Sequence, residues 1–271
     1  MVKPPSITRK ARAVVTGAGS GIGAAIALEL AARGSAVVCA DINLAGAQTT
    51  ADQIVEQGGD ALAVACDVRK REEIETLAGE AQDYFAARPT LIVNNAGIGV
   101  GGLAADQLSL EDWQQTIDTN LWSVIHGCHI FVPLLRAEKN AGVLNIASAA
   151  SFSAAPTMAS YNVSKAGVLA LTETLHAELK GAGIHVTAVC PTFVKTAIVE
   201  QGRISNSSKN LAARAMRVTG VSAHSVARKA LSGLERNELY VLPQLDARLI
   251  WHAKRHLPRS YSRVTALLGA R

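Results

Sequence analysis

Two side chains with different proton chemistry stand four residues apart in the segment Tyr161-Asn162-Val163-Ser164-Lys165. Residues at this spacing share one face of a helix, which brings a phenol and an ammonium together. An isolated tyrosine has a pKa of about 10 and is a poor base at neutral pH. A neighbouring ammonium favours the phenolate and lowers that pKa. The spacing predicts that Tyr161 exchanges protons with a substrate and that Lys165 tunes it, although the motif alone also occurs on solvated helix faces.

Two more polar residues could serve the same reaction. Ser148 closes a predicted buried strand, which puts its hydroxyl at the carboxyl edge of a parallel sheet, where such sheets bind ligands. Asn120 falls inside a predicted helix although asparagine is a poor helix former, so we expect a hydrogen-bonding task, such as holding a water that feeds protons to Lys165. Taken singly, Ser148 could cap a strand and Asn120 could mark a helix irregularity. Their presence beside Tyr161 and Lys165 favours a catalytic group of four.

A glycine-rich loop runs from Thr16 to Gly23, between the first predicted strand and the first predicted helix. Gly17, Gly21 and Gly23 allow a tight turn and a close approach of bare backbone to a pyrophosphate. The helix N-terminus adds N–H groups and a partial positive charge. Glycine-rich turns are common, but one placed between a strand and a helix is typical of a nucleotide site.

Asp41 closes the second predicted strand, at the distance from the loop where a carboxylate meets the adenosine ribose. A carboxylate there accepts hydrogen bonds from free ribose hydroxyls and repels a 2′-phosphate. No lysine or arginine occupies Ala18 or Ser20, and Ile42 follows Asp41, so a phosphate would lack a cation. NAD(H) is therefore predicted over NADP(H). The alternative is that Asp41 merely caps the next turn.

Short apolar segments without polar alternation separate longer amphipathic segments along the chain. Such segments are typical of parallel strands covered by helices on both faces. The predicted strands are Ala13–Thr16, Ala36–Asp41, Ala61–Asp67, Leu91–Asn95, Val143–Ser148, Ile184–Cys190 and Leu239–Leu242, and the predicted helices include Gly21–Arg33, Leu44–Gln57, Lys70–Ala87, Leu110–Leu135 and Tyr161–Lys180. The pattern predicts an α/β fold: a single-domain, doubly wound parallel sheet of about seven strands with helices on both faces.

Composition and charge restrict the function classes. The chain is 49% hydrophobic and 18% charged, which allows a sizeable core, and no apolar segment is long enough to span a bilayer. Its four scattered cysteines predict buried, reduced thiols and no metal site, and with no secretory signal visible we expect a cytoplasmic protein. The net charge of +5 comes largely from the segment after Asp246 and accompanies no nucleic-acid-binding motif, so no nucleic-acid partner is predicted.

In these motifs the chain resembles the short-chain dehydrogenase/reductase family over nearly all of Ala11–Pro243. The matching residues are Thr16–Gly23, Asp67-Val68, Asn94-Asn95-Ala96-Gly97, Asn120, Ser148, Tyr161 with Lys165, and Pro191–Thr196. The resemblance implies a Rossmann-type sheet and a catalytic tetrad of Asn120, Ser148, Tyr161 and Lys165. It also implies a homotetramer or a dimer.

The resemblance further implies which residues hold the dinucleotide. Asp67 and Val68 would flank the adenine, Asn94 would stabilise the central sheet beside the cofactor, and Thr196 would hold the carboxamide. The full expected set is Gly17, Ser20, Gly21, Ile22, Gly23, Asp41, Asp67, Val68, Asn94, Ala96, Gly97, Tyr161, Lys165, Pro191, Thr192, Val194 and Thr196. One position departs from the family: Thr192 follows Pro191 where a glycine is usual, and its β-carbon is expected to reshape the nicotinamide pocket.

The predicted function is an NAD(H)-dependent oxidoreductase that interconverts a secondary alcohol and a ketone, with Tyr161 as general acid and base. The resemblance also implies which residues line the substrate pocket. None of these residues is charged, which favours an apolar small-molecule substrate. They are Ala150, Ala155, Pro156, Thr192, Phe193 and Ile198. The alternatives are an NADP-dependent carbonyl reductase and a non-catalytic dinucleotide-binding sensor or scaffold.

The sequence divides into a catalytic domain, residues 1–243, and a basic amphipathic C-terminal extension, residues 244–271. Leu245, Leu249, Ala253 and Leu257 share one face of a predicted helix, with basic residues elsewhere. Such a helix could dock on a neighbouring subunit or lie on an anionic membrane surface. Subunit contact is favoured over peripheral membrane contact, because members of the family form oligomers.

Overall fold

The first half of the chain alternates strands and helices. The computed structural model describes residues 6–195, 203–204 and 220–269. The elements of this half are β1 (Arg12–Thr16), α1 (Gly21–Ala32), β2 (Ala36–Asp41), α2 (Leu44–Glu56), β3 (Asp60–Ala65), α3 (Arg71–Phe85) and β4 (Leu91–Asn94). Each element lies within a few residues of its predicted bounds.

The second half continues this alternation and adds short strands. Its elements are β5 (Val100–Gly101), α4 (Leu110–Ile117), a π-helical turn (Asp118–Trp122), α5 (Ser123–Leu135), β6 (Gly142–Ile146), α6 (Ala150–Ser153), α7 (Ala159–Leu179), a 3₁₀ turn (Lys180–Ala182), β7 (His185–Val189), β8 (Val194–Lys195), β9 (Arg203–Ile204), β10 (Val221–Ser222), α8 (Ala223–Glu235), β11 (Tyr240–Val241), α9 (Leu245–His256) and α10 (Pro258–Gly269). Ser148 thus lies just beyond β6 instead of closing the strand as predicted.

The main sheet has seven strands in the order β11-β7-β6-β4-β1-β2-β3, and its neighbouring strands are parallel. The strand order reverses between β1 and β4, so the loops after these two strands turn to opposite faces of the sheet. A crevice at the carboxyl edge is expected at such a point. The predicted doubly wound parallel sheet with helices on both faces is confirmed.

Apolar cores cover both faces of the sheet. Val14 and Ile92 face the core under α3, α5 and α7, whereas Val15 and Val93 face the core under α1 and α8. Because neighbouring residues of a strand point to opposite faces, both must be apolar, which explains the strands without polar alternation. The four cysteines are free and buried as predicted, and burial raises the pKa of each thiol to about 12.

One predicted helix is interrupted. The segment Leu110–Leu135 forms α4 and α5 joined by the π-helical turn Asp118–Trp122, which contains the fully buried Asn120. A π-turn widens the helix by one residue and is common at functional sites. The poor helix former at position 120 therefore marked a real break in the α-helical pattern.

The C-terminal helices pack back onto the sheet. Ala247 and Trp251 of α9 are buried, and the Trp251 ring meets Phe152 of α6 edge-on with 4.9 Å between centroids. The predicted apolar face lies on the other side of α9, because Leu245 and Leu249 are exposed. Among the described residues, no helix is both long and apolar enough to cross a membrane.

Candidate active site

The glycine loop packs too tightly for side chains. Gly17 and Gly21 have φ angles of +65° and +59°, which L residues rarely adopt. A Cβ added at Gly23 would lie 2.1 Å from the Gly17 carbonyl oxygen, and one at Gly17 would lie 2.8 Å from the Ala96 Cα. The loop delivers bare backbone to the N-terminus of α1, where helical N–H groups lack intrahelical acceptors. Ser20, at the N-cap, is exposed, and Ile22 is half-buried.

Asn95, which follows β4, fastens this loop. Its side-chain amide donates to the carbonyl oxygens of Thr16 (2.9 Å) and Gly17 (3.1 Å), and its backbone N–H donates to the Thr16 hydroxyl (3.0 Å). No role was predicted for Asn95 from the sequence. An amide directly after the strand that pairs with β1 was the signal that could have found it.

Asp41 also holds the glycine loop. One of its carboxylate oxygens accepts from the Gly19 N–H and the other from the Asn43 N–H, each at 2.9 Å. The capping interaction considered as an alternative is thus present, but a carboxylate has further lone pairs for ribose hydroxyls. A Cβ at Gly19 would lie 2.9 Å from the Asp41 oxygen, so Gly19, to which no role was given, is also spatially constrained.

The residues predicted near the adenine and the central sheet lie beyond β3 and at the end of β4. The Asp67 carboxylate pairs with the Arg69 guanidinium at 2.6 Å, and hydrogen bonds from Arg69 lower the pKa of Asp67. Val68 is buried. Asn94 is buried too, and its amide donates to the Asn145 side chain at 2.8 Å, joining β4 to β6.

Ser148 and Tyr161 meet at the carboxyl edge of the sheet. Tyr161 lies in the first turn of α7, and the Ser148 side chain is close enough to its hydroxyl to oppose, in part, the rise in the pKa of Tyr161 that burial causes. The Ser148 hydroxyl is buried, accepts from the Ala150 N–H at 3.1 Å and donates to the Pro191 carbonyl at 3.4 Å. The two hydroxyls predicted to share a substrate oxygen are therefore neighbours.

Lys165 lies one turn along the same face of α7. Its ammonium is buried, donates to the Ile146 carbonyl at 2.9 Å and stands 6.0 Å from the centre of the Tyr161 ring. Burial lowers the pKa of Lys165 to about 8. The predicted phenol–ammonium face is present, but the ammonium is held by the Ile146 carbonyl of β6.

The expected effect of Lys165 on Tyr161 is not seen. Burial of the hydroxyl raises the pKa of Tyr161, and the neighbouring Ser148 hydroxyl opposes this only in part. The prediction that the ammonium lowers this pKa was wrong for the protein by itself, because desolvation raises the pKa and the ammonium, 6.0 Å from the ring centre, does not reverse the shift. Tyr161 is therefore a protonated phenol at neutral pH.

Asn120 joins the group through backbone contacts. Its side-chain oxygen accepts from the Ile98 N–H at 2.8 Å, and its amide donates to the Ile98 carbonyl at 3.0 Å. A Cβ at Gly97 would lie 2.9 Å from this Asn120 oxygen and 3.5 Å from the Lys165 nitrogen. Gly97 thus leaves free the space between the amide and the ammonium, where a proton-carrying water is predicted.

The loop after β7 borders the serine. The Pro191 carbonyl accepts from the Ala149 N–H at 2.8 Å, Thr192 is half-buried and Val194 is buried. Thr196, expected to hold the carboxamide, and Ile198 of the predicted pocket lie outside the described residues.

Comparison with known proteins identifies this arrangement of residues. Residues 11–206 match the family described as short chain dehydrogenase. The chain belongs to that family. The predicted resemblance, and with it the prediction of a short-chain dehydrogenase/reductase enzyme, is confirmed.

Curated relatives of this short-chain dehydrogenase act on different substrates. It is 40% identical over 192 residues to a 3-oxoacyl-[acyl-carrier-protein] reductase from Synechocystis, covering 69% of this chain and 76% of the relative. It is 36% identical over 189 residues to a cyclohexanol dehydrogenase from Acinetobacter, covering 70% and 75% of the two chains. These names agree in reaction class and differ in substrate.

A solved structure agrees in fold and binds a dinucleotide. A short chain dehydrogenase/reductase from Burkholderia phymatum, crystallised in complex with NAD, superposes with a TM-score of 0.83. It is 30% identical, and the match covers 91% of this short-chain dehydrogenase and 94% of that chain.

Proposed function

We propose that the protein is an NAD(H)-dependent oxidoreductase that interconverts an apolar secondary alcohol and its ketone. The observation that carries the proposal is the grouping of the Tyr161 and Ser148 hydroxyls, with the buried Lys165 one turn away, at the carboxyl edge of the sheet. Open α/β sheets bind ligands at this edge. The group can therefore hold a substrate oxygen and move a proton at it.

The chain's residues supply the proton chemistry of this reaction. When bound, the nicotinamide gives or accepts the hydride. In reduction, Tyr161 donates its phenolic proton to the carbonyl oxygen, and the Ser148 hydroxyl holds that oxygen in place. In oxidation, the Tyr161 phenolate takes the proton of the alcohol. Lys165 and Asn120 border the space beside Gly97, where a water could return the proton to solvent.

The residues of the crevice fit a dinucleotide. An added Cβ at Gly17 or Gly23 would collide with neighbouring backbone, so the loop keeps bare backbone at the start of α1, as a pyrophosphate requires. Asp41 favours free ribose hydroxyls over a 2′-phosphate, which supports NAD(H), as does the NAD complex of the Burkholderia relative. NADP(H) is the less favoured cofactor.

The uncharged pocket positions favour an apolar substrate. Ala150, Ala155 and Pro156 come from α6 and the segment after it, and Phe193 from the loop after β7. A cyclic alcohol such as the one in the name of the Acinetobacter relative suits this lining. A 3-oxoacyl thioester is the second candidate, favoured by the 40% identity to the Synechocystis reductase.

Replacing the phenol tests the proposal. We expect Tyr161→Phe to lower kcat by about 10²–10⁴-fold with dinucleotide affinity nearly unchanged, because a general acid is lost and the glycine loop is not. Secondary alcohols, ketones and a 3-oxoacyl thioester, each with NAD(H) and NADP(H), would be followed by nicotinamide absorbance. Tyr84→Phe on α3 is the matched control.

The outcomes of this experiment test the role of Tyr161 and distinguish the candidate functions. Tyr161→Phe activity within threefold of the unsubstituted protein would remove Tyr161 from the mechanism. Dinucleotide binding without turnover of any substrate in the panel by the unsubstituted protein would favour the sensor or scaffold alternative. A preference for NADPH with the thioester would replace the first candidate by the second.

We further propose that the protein is a cytoplasmic homo-oligomer, a tetramer or a dimer. Leu245, Leu249 and Leu257 are exposed on the C-terminal extension, and an interface would cover them. Light scattering of the native protein tests the assembly. Co-sedimentation with anionic vesicles tests the less favoured membrane contact.

A further inference from the structure

The start of the C-terminal extension is hydrogen-bonded to the loop after β7. The Thr192 hydroxyl donates to the Asp246 carboxylate at 2.9 Å, and the Thr192 N–H donates to the Gln244 side-chain oxygen at 3.2 Å. The Gln244 amide in turn donates to the Phe193 carbonyl at 3.0 Å. Gln244 is 5% exposed, so water competes little for these bonds. Three hydrogen bonds thus hold two consecutive residues of the loop.

The same loop is hydrogen-bonded to Ser148, the serine of the active site. Pro191, directly before Thr192, accepts hydrogen bonds at its carbonyl from the Ser148 hydroxyl (3.4 Å) and from the Ala149 N–H (2.8 Å). A shift of Thr192 would move this carbonyl, because the two residues share a peptide plane. The direction of the Ser148 hydroxyl therefore depends on where the loop is held.

The extension also reaches the other side of Ser148. Trp251 of α9 packs edge-on against Phe152 of α6, and the Tyr261 hydroxyl of α10 donates to the Ser153 carbonyl at 2.7 Å. Helix α6 begins two residues after Ser148. Residues 244–261 thus contact both the loop after β7 and helix α6, the two segments that lie next to Ser148.

We propose that Gln244 and Asp246, acting through Thr192, are positioning residues that orient the Ser148 hydroxyl for catalysis. The proposal rests on the proposed function, since it gives these residues a part in that reaction. It also accounts for the threonine at position 192: a glycine there would have no hydroxyl for Asp246 and would leave the backbone freer. In this chain, the hydrogen bond from the Thr192 side chain to Asp246 of the extension holds the loop in place.

Removing only the Thr192 hydroxyl tests the proposal. Thr192→Val keeps the shape of the side chain and the N–H bond to Gln244 but removes the donor to Asp246. We expect kcat to fall about fivefold to tenfold, with the melting temperature nearly unchanged, because small misplacements of a reacting group slow turnover strongly. Thr192→Ser should restore kcat. Thr76→Val, which removes an exposed hydroxyl on α3, is the matched control.

A double substitution asks whether the effect passes through Ser148. In a Ser148→Ala background, Thr192→Val should have no further effect on kcat, because the group that it positions is gone. Equal effects of Thr192→Val in both backgrounds, or no effect in the first, would overturn the inference. Full activity of Ser148→Ala alone would instead contradict the proposed function, so the two failures are distinguishable.

Discussion

The two halves of the site are held by different kinds of contact. In the glycine-loop half, formed by residues 16–23 with Asp41 and Asn95, backbone packs on backbone so closely that a Cβ at Gly23 would lie 2.1 Å from a carbonyl oxygen. Adding one carbon atom to such a glycine should disrupt the whole loop, because the backbone cannot move aside without changing the conformation of the loop.

The serine half is formed by Ser148, Tyr161, Lys165 and the loop 191–193. It is held by side-chain hydrogen bonds, several of them with residues 244–261 of the C-terminal extension. Such bonds can be removed one at a time, and each typically contributes about 1 kcal/mol. Substitutions should therefore have all-or-none effects in the first half and graded effects in the second.

The largest effect is expected from Gly23→Ala. The added methyl group would overlap the Gly17 carbonyl and distort the phosphate loop, at a cost of about 3 kcal/mol or more. We expect NAD affinity, measured by calorimetry, to fall by about 100-fold or more.

Gly79→Ala is the matched control for this change. Within the described structure, a Cβ at Gly79 on α3 meets nothing within 4 Å, so NAD affinity should not change. Equal, small losses in both variants would show that the glycine loop yields as easily as a helix surface.

A second test uses the pKa of Tyr161. All four tyrosines of the chain have raised pKa values, chiefly through burial, so the protein without dinucleotide should show no tyrosinate absorbance at 295 nm below about pH 10. The charge of the oxidised nicotinamide favours the phenolate. Saturating NAD⁺ should therefore bring the titration of a single tyrosine to lower pH.

Tyr161→Phe identifies the titrating group. The signal that NAD⁺ induces should be missing in this variant, and Tyr84→Phe should keep it. A tyrosine that ionises near pH 8 without NAD⁺ would restore the original expectation that Lys165 suffices to lower this pKa.

A tenfold effect is expected from Asp41→Asn. The amide keeps an acceptor for the Gly19 N–H but no longer repels a 2′-phosphate, and charged acceptors hold ribose hydroxyls more strongly than neutral ones. We expect the ratio of kcat/KM for NADP⁺ to that for NAD⁺ to rise about tenfold. Asp41→Ala, which also loses the bond to Gly19, should weaken both cofactors. An unchanged ratio in Asp41→Asn would leave Asp41 as a turn cap only.

The smallest effect is expected from Tyr261→Phe. This change removes the bond to the Ser153 carbonyl at the far end of α6, and the partly exposed ring remains. We expect the free energy of unfolding to fall by about 1 kcal/mol and kcat by about twofold. A loss of kcat larger than that of Thr192→Val would place the main support of Ser148 on α6 instead of on the loop.

Much of the fold could be predicted because it depends on local patterns. The apolar strands covered on both faces, the glycine loop between β1 and α1, and the spacing of Tyr161 and Lys165 are all properties of short segments. The interruption at Asn120 was visible only as an unfavourable residue in a helix. The hydrogen bonds of that side chain with Ile98, 22 residues earlier in the chain, form only when the chain is folded.

The sequence by itself determined the element order, the family and the residues that could do chemistry, because periodicity and contiguous motifs are encoded within a few residues. The tertiary structure decided the protonation state of Tyr161 and brought Gln244 and Asp246 to Thr192. Desolvation depends on everything that surrounds a group, and a hydrogen bond between residues more than 50 positions apart depends on the packed path of the chain between them. Neither can be read from the neighbours of a residue in sequence.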